Sequence, residues 1–147
     1  MLNVLFLELK KALLTFFAPT ERGRMPPNSQ LENNTMELGV PKEIKAQEFR
    51  VGMTPAGVRE LVSADHSVLI ESGAGDAIGL TDDLYRAAGA SVVETAEQVF
   101  AESDMVVKVK EPQPHECRQL RPGQLLFTYL HLAADPLQAE LLMNSGA

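Results

Sequence analysis

The stretch Leu125–Asp135, LLFTYLHLAAD, decides how the chain is read. Its first half is an apolar, aromatic-bearing run with the composition of a buried strand. Its end, Asp135 followed by Pro136, has the residues of a helix start, with a carboxylate cap and proline at the first helical position. A single histidine, His131, lies near the C-terminal end of the run, where strand should give way to loop or helix. A strand running into a capped helix is a β-α unit, and working outward the same unit recurs upstream.

Short apolar runs at residues 37–41 (ELGVP), 67–71 (SVLIE), 91–94 (SVVE), 105–109 (MVVKV) and 125–132 (LLFTYLHL) read as strands. Several are nearly continuous in hydrophobicity, as strands covered on both faces of a parallel sheet must be. Helices with legible starts lie between them. Thr54–Pro55 opens AGVRELV, Thr81 or Asp82 caps DLYRAAG, which ends at Gly89, and Thr95 with Gln98 forms a capping box for AEQVFAE. Asp135–Pro136 with Gln138 opens LQAELLMNSG. Such a succession predicts an α/β fold: a doubly wound, mostly parallel sheet of the Rossmann-like or flavodoxin-like kind, with helices on both faces.

Residues 1–35 differ from the rest. MLNVLFLELKKALLTFF is apolar, but Glu8, Lys10 and Lys11 interrupt it short of a membrane span, and its positive charges fall inside the apolar run, where a signal peptide would carry them before it. APTERGRMPPNSQLENNT has the composition of a disordered linker. Four basic and three acidic residues give this segment +1, leaving nine basic and seventeen acidic residues, or −8, for residues 36–147. The boundary is drawn there, with residues 1–35 an N-terminal extension, disordered or partly helical, and Met36 the expected original start. The chain stops at Ala147 just after a helix terminator, where the next strand is due, and so reads as the front portion of a longer protein.

The formal charge of −7 argues against nucleic acid or an anionic membrane as partner. Cys117 is the one cysteine, so neither an internal disulfide nor a cysteine metal cluster can form, and a reducing, cytoplasmic setting is the simplest reading. No metal site is expected.

In open α/β sheets ligands bind beyond the carboxyl ends of the strands. Arg50 follows the first strand, Lys110 ends the fourth, and His131 closes the last; in a parallel sheet all three project toward one rim. Each has a bland alternative. Arg50 sits among Lys42, Glu43, Lys45 and Glu48 and suits a solvated charge network. Lys108 and Lys110 alternate along a strand and suit lysine protection of a sheet edge. A histidine at a strand end can be a satisfied polar residue, and Tyr129, two residues before it on the same strand face, can be core. His66 and His115 read as surface residues, and Cys117 as an incidental thiol. The glycine-rich ESGAGDAIGL (71–80) has GxGxxxG spacing, and the next helix starts only near Thr81, so it reads as a tight structural turn. No complete phosphate-binding loop is present in the sequence.

Taken together, GVPKEIKAQEFRVGMTPAGVRELV, VLIESGAG, AAGASVV, DMVVKVKEP and LRPGQLLFTYLHLAAD resemble the N-terminal, substrate-binding portion of alanine dehydrogenases, relatives of the nicotinamide nucleotide transhydrogenase subunit that binds NAD(H). The resemblance runs from about Met36 to Ala147, and the histidine of YLHLAA favours alanine dehydrogenase over transhydrogenase. It implies reversible, NAD-dependent oxidative deamination of L-alanine to pyruvate and ammonium. Arg50 would pair with the substrate carboxylate, Lys110 would contact the carboxylate or carbonyl oxygen, His131 would be the acid/base group and Tyr129 would line the pocket. The dinucleotide site and a further catalytic aspartate are expected beyond Ala147, so no cofactor-binding residue is expected in this chain. On that reading the chain alone binds pyruvate weakly and turns nothing over. Hexameric self-assembly is common in the family. A transhydrogenase subunit and a non-catalytic small-molecule-binding module are the competing readings. Asp65 stands at a helix end where the family usually has glycine.

Overall fold

Five strands, β1 (Glu37–Val40), β2 (Ser67–Glu71), β3 (Ser91–Val93), β4 (Met105–Val107) and β5 (Leu125–Phe127), form one sheet in the order β3-β2-β1-β4-β5. Every pairing is parallel. The computed structural model describes residues 35–147; the expected N-terminal extension lies outside the described residues except for Thr35. Residues 36–147 form one compact unit.

The helices are α1 (Pro55–Val62), α2 (Asp82–Ala87), α3 (Ala96–Glu102), α4 (Pro114–Cys117) and α5 (Pro136–Ser145). Three starts follow the sequence signals, while at α2 Thr81 holds the N-cap position without a side-chain capping bond. The Thr54 hydroxyl accepts from Gly57 N, Thr95 and Gln98 close a reciprocal capping box, and the Asp135 carboxylate accepts from Gln138 N. The chain winds from β1 outward through β2 to β3, then α3 carries it back past β1 to β4 on the other side. Right-handed crossovers in both directions place helices on both faces. The order is that of the Rossmann type and excludes the flavodoxin-like order that the sequence left open.

Leu38, Val40, Val58, Ile70, Tyr85 and Val99 are fully or almost fully buried around β1 and β2, and Phe100, Val106 and Leu120 form a second cluster under β4. Gly39, in the central strand, is a packing requirement: a Cβ there would lie 2.6 Å from Val99 Cγ1 and 2.7 Å from Ser103 Oγ. With glycine in place, α3 lies close against β1.

Two strands end earlier than their sequence pattern. β4 stops at Val107, not residue 109, because the Val109 N–H turns to the Glu43 carboxylate (2.6 Å) in place of a neighbouring strand. β5 stops at Phe127, not residue 132, because β4 is its sole neighbour and offers no further ladder. His131 therefore does not close a strand; it caps the short 3-10 turn Leu132–Ala134. Tyr129 lies on no strand face either and is 48% exposed, which also removes its core-packing alternative. The edge-strand reading of the two lysines fails as well, since β4 is flanked by β1 and β5.

Candidate active site

The strand order reverses between β1 and β4, the switch point at which open α/β sheets hold their ligand crevice. Two runs of sequence line it: Pro41–Thr54, after β1, and Lys108–Pro112, after β4. The extension of β5 lies beside the second run.

A buried ion cluster joins the two runs. Lys108, 1% exposed, reaches Glu116 Oε1 at 2.8 Å and Glu43 Oε2 at 3.4 Å. Glu43 Oε1 accepts from Val109 N at 2.6 Å and from Lys110 N at 3.4 Å. Burial pushes the Glu43 carboxyl above the usual carboxylate range, against the opposing pull of Lys108 and the two backbone donors. One carboxylate from the first run thus fixes the backbone that presents Lys110. Glycine completes the contact: a Cβ on Gly52 would lie 2.5 Å from the Val107 carbonyl oxygen, so no other residue lets the loop press on the end of β4. Buried Tyr85 donates from its hydroxyl to Met53 O at 2.7 Å and holds the far end of the same loop.

Arg50 is presented by this loop, half-buried. Its Nε donates to Glu48 Oε1 at 2.7 Å, its Nη2 contacts Glu48 Oε2, and its own backbone N–H closes on Glu48 Oε1 at 3.0 Å. These bonds hold the Glu48 carboxyl down at about 2 and raise the Arg50 guanidinium further above its ordinary value. Glu48 occupies one edge of the guanidinium. The Nη1 end makes no hydrogen bond among the described residues, which leaves a second two-donor edge for another carboxylate. Glu43 and Tyr129 are electrostatic neighbours of Arg50, and Lys110 is one of Glu48.

Lys110 is partly buried, and its ammonium makes no ion pair among the described residues. Its backbone carbonyl accepts from Thr128 Oγ1 at 2.8 Å, which ties the extension of β5 to that of β4. His131 is 65% exposed, and its Nδ1 lies 4.0 Å from Glu111 Oε2. The other Glu111 oxygen pairs with Lys45 of the first run. Arg50, Lys110, Tyr129 and His131 therefore share one rim, connected through Glu48, Glu43 and Glu111. His66 is part-buried and accepts from Met36 N at 3.2 Å, so it is not simply a surface residue. Cys117 is buried, its thiol pushed up by desolvation, as an unreactive cysteine should be.

The glycine-rich loop after β2 closes on itself. The Asp82 carboxylate accepts from Gly73 N at 2.9 Å and Ser72 Oγ at 2.7 Å, taking the donors that a phosphate would need. A Cβ on Gly75 would meet Leu80 O at 2.4 Å. Residues 71–82 do not fit a dinucleotide phosphate, and no step below is assigned to one bound here.

Residues 39–147 match the model of the family described as "Alanine dehydrogenase/PNT, N-terminal domain". The chain belongs to this family. An alanine dehydrogenase of Mycobacterium tuberculosis (strain ATCC 25618 / H37Rv) is 51% identical over 111 residues, which are 76% of this chain and 30% of that protein. One of Bacillus subtilis (strain 168) is 50% identical over 111 residues, 76% of this chain and 29% of that protein. Among solved structures, an L-alanine dehydrogenase superposes with a TM-score of 0.73 at 55% identity, over 75% of this chain and 30% of that one. A transhydrogenase from Sinorhizobium meliloti superposes with a TM-score of 0.70 at 26% identity, over 75% of this chain and 32% of that one. The chain thus spans about 30% of the length of these relatives.

Sequence reasoning missed Glu43, Gly52, Tyr85 and Glu111 as parts of the site's framework. Only Gly52 carries a readable hint, a glycine two residues before the helix cap Thr54; the partners of the other three are distant in sequence.

Proposed function

We propose that this chain supplies the substrate-binding half of an NAD-dependent alanine dehydrogenase. The reaction is L-alanine, NAD⁺ and water giving pyruvate, ammonium, NADH and a proton. The observation that carries the reading is the placement of Arg50, Lys110 and His131 after β1, β4 and β5 of a parallel sheet, in a chain about half identical to alanine dehydrogenases. NAD is held by residues outside this chain, and assembly as a cytoplasmic homo-oligomer belongs to the same proposal. Among the described residues no helix is long and apolar enough to cross a membrane.

In this reading the free edge of Arg50 takes the substrate carboxylate through two parallel charge-assisted bonds. Lys110, a compact cation with three donors, sits at the carboxylate or keto oxygen and polarises the carbonyl. His131 holds or releases the proton exchanged with the carbinol oxygen. Tyr129 borders the pocket beside Arg50. The histidine favours a dehydrogenase over a transhydrogenase subunit, which moves hydride between two dinucleotides and has no keto acid to protonate.

The experiment is a calorimetric titration of pyruvate into the 147-residue chain and its Arg50→Met and Lys110→Met variants. Weak binding that falls about tenfold or more in each variant is expected, the loss of one charged hydrogen-bonding group. Absent binding, or equal binding by both variants, overturns the reading. Alanine-dependent NADH formation by the purified chain would overturn the assignment of NAD to residues outside it.

A further inference from the structure

The register of β4 and β5 sets Met105 against Leu125 and Val107 against Phe127. Carried past the strand ends, that register places Glu111 opposite His131. Two contacts hold the extensions together: Lys108 N donates to Phe127 O at 3.0 Å, and Thr128 Oγ1 to Lys110 O at 2.8 Å. The carboxylate that results is unusual. Glu111 is buried, one oxygen pairs with Lys45, and the other, Oε2, is enclosed with no hydrogen-bond partner among the described residues. A buried acceptor without a donor is costly, and the native fold rarely keeps one idle. His131 Nδ1 lies 4.0 Å from Oε2, on an exposed ring free to turn. Pro112 anchors the position from behind, its carbonyl accepting from Gln138 Nε2 at 2.9 Å.

We propose that Glu111 is a positioning residue for His131. Its Oε2 accepts from the imidazole Nδ1–H, fixes the ring's orientation and tautomer, and leaves Nε2 as the nitrogen that exchanges the substrate's proton. A modest rotation of the exposed ring shortens 4.0 Å to hydrogen-bond length. The effect is that of a carboxylate behind a catalytic imidazole, which selects the tautomer without itself being protonated. Lys45 is the other charged group on Glu111 and pairs with its Oε1, leaving Oε2 to the ring. The catalytic consequence rests on His131 being the acid/base group; the Glu111–His131 pairing does not.

The test is ¹⁵N-histidine NMR of the full chain at a pH where the rings are neutral, with His131 assigned by its loss in His131→Gln. An unconstrained imidazole in water prefers its proton on Nε2. Wild-type His131 is expected to show mainly the Nδ1–H form, and a mainly Nε2–H ring overturns the proposal without any variant. In Glu111→Gln the Nδ1–H to Nε2–H ratio should fall about five- to tenfold, the factor one ordinary hydrogen bond sets. Lys45→Met should keep the wild-type ratio. An unchanged ratio in Glu111→Gln, or an equal fall in Lys45→Met, overturns the pairing. Pyruvate added to wild type tests the reading of His131 separately. No change at its ring on binding overturns the acid/base role while the tautomer result stands.

Discussion

Two loops leave the same rim of the sheet and meet opposite fates. The run after β4, Lys108–Pro112, carries Lys110, whose ammonium makes no ion pair among the described residues, and Glu111 beside His131. The run after β2, residues 71–80, is richer in glycine and looks more like a ligand loop, yet Asp82 fills its donors and Gly75 packs against Leu80. The difference is topological. β4 lies beside β1 where the winding reverses, and the runs leaving the two strands meet there through Lys108, Glu43 and Glu111. β2 lies between β1 and β3, and its loop satisfies its donors internally through Asp82. The sequence read residues 71–80 as a tight structural turn, and the hydrogen bonds to Asp82 are those of a closed turn.

The comparison breaks first if the β4 end is not held by its buried ions. Lys108→Met should cost about 3–5 kcal/mol in chemical denaturation, because Glu43 and Glu116 are left buried without a cation. A loss below about 1 kcal/mol would mean the cluster is not the pin described. Gly52→Ala should cost about 1–3 kcal/mol, since the new methyl meets backbone at Val107, and should weaken pyruvate binding as well. On the β2 side, Asp82→Asn should cost about 1–2 kcal/mol and leave pyruvate binding intact. A matching loss of binding would erase the distinction between the loops.

Acid titration sharpens the same contrast. Glu48 is held at about 2, below its ordinary 4.5, by its hydrogen bonds to Arg50. A depressed carboxyl contributes stability that is complete above about pH 4.5 and is lost as the pH falls through about 2. Glu48→Gln should flatten that part of the stability profile, followed by circular dichroism against pH. The smallest effect is expected at Asp65, whose φ of 64° is left-handed. Asp65→Gly should stabilise the chain by up to about 1 kcal/mol in urea, with pyruvate binding unchanged.

Much of the fold was legible because its signals are local. Thr54–Pro55, Thr95 with Gln98, and Asp135–Pro136 cap helices through atoms three residues apart, so the caps appear where the residues stand. Apolar runs likewise show where strands begin. Their ends were overrun at 107 and 127, because a strand ends when its partner does, and no residue inside the run states that.

The sequence by itself determined the alternation of strands and capped helices, the parallel α/β class and the sidedness that sends Arg50, Lys110 and His131 to one rim. Only the tertiary structure decided the order β3-β2-β1-β4-β5, and with it which loops face the crevice. It also separated Lys108 from Lys110, two residues apart: one is buried between Glu43 and Glu116, the other remains partly exposed toward the site. The physical reason is the range of the forces involved. Caps and hydrophobic runs act within a turn or a strand, whereas a buried charge or an idle carboxylate takes its meaning from partners that only the completed fold brings near.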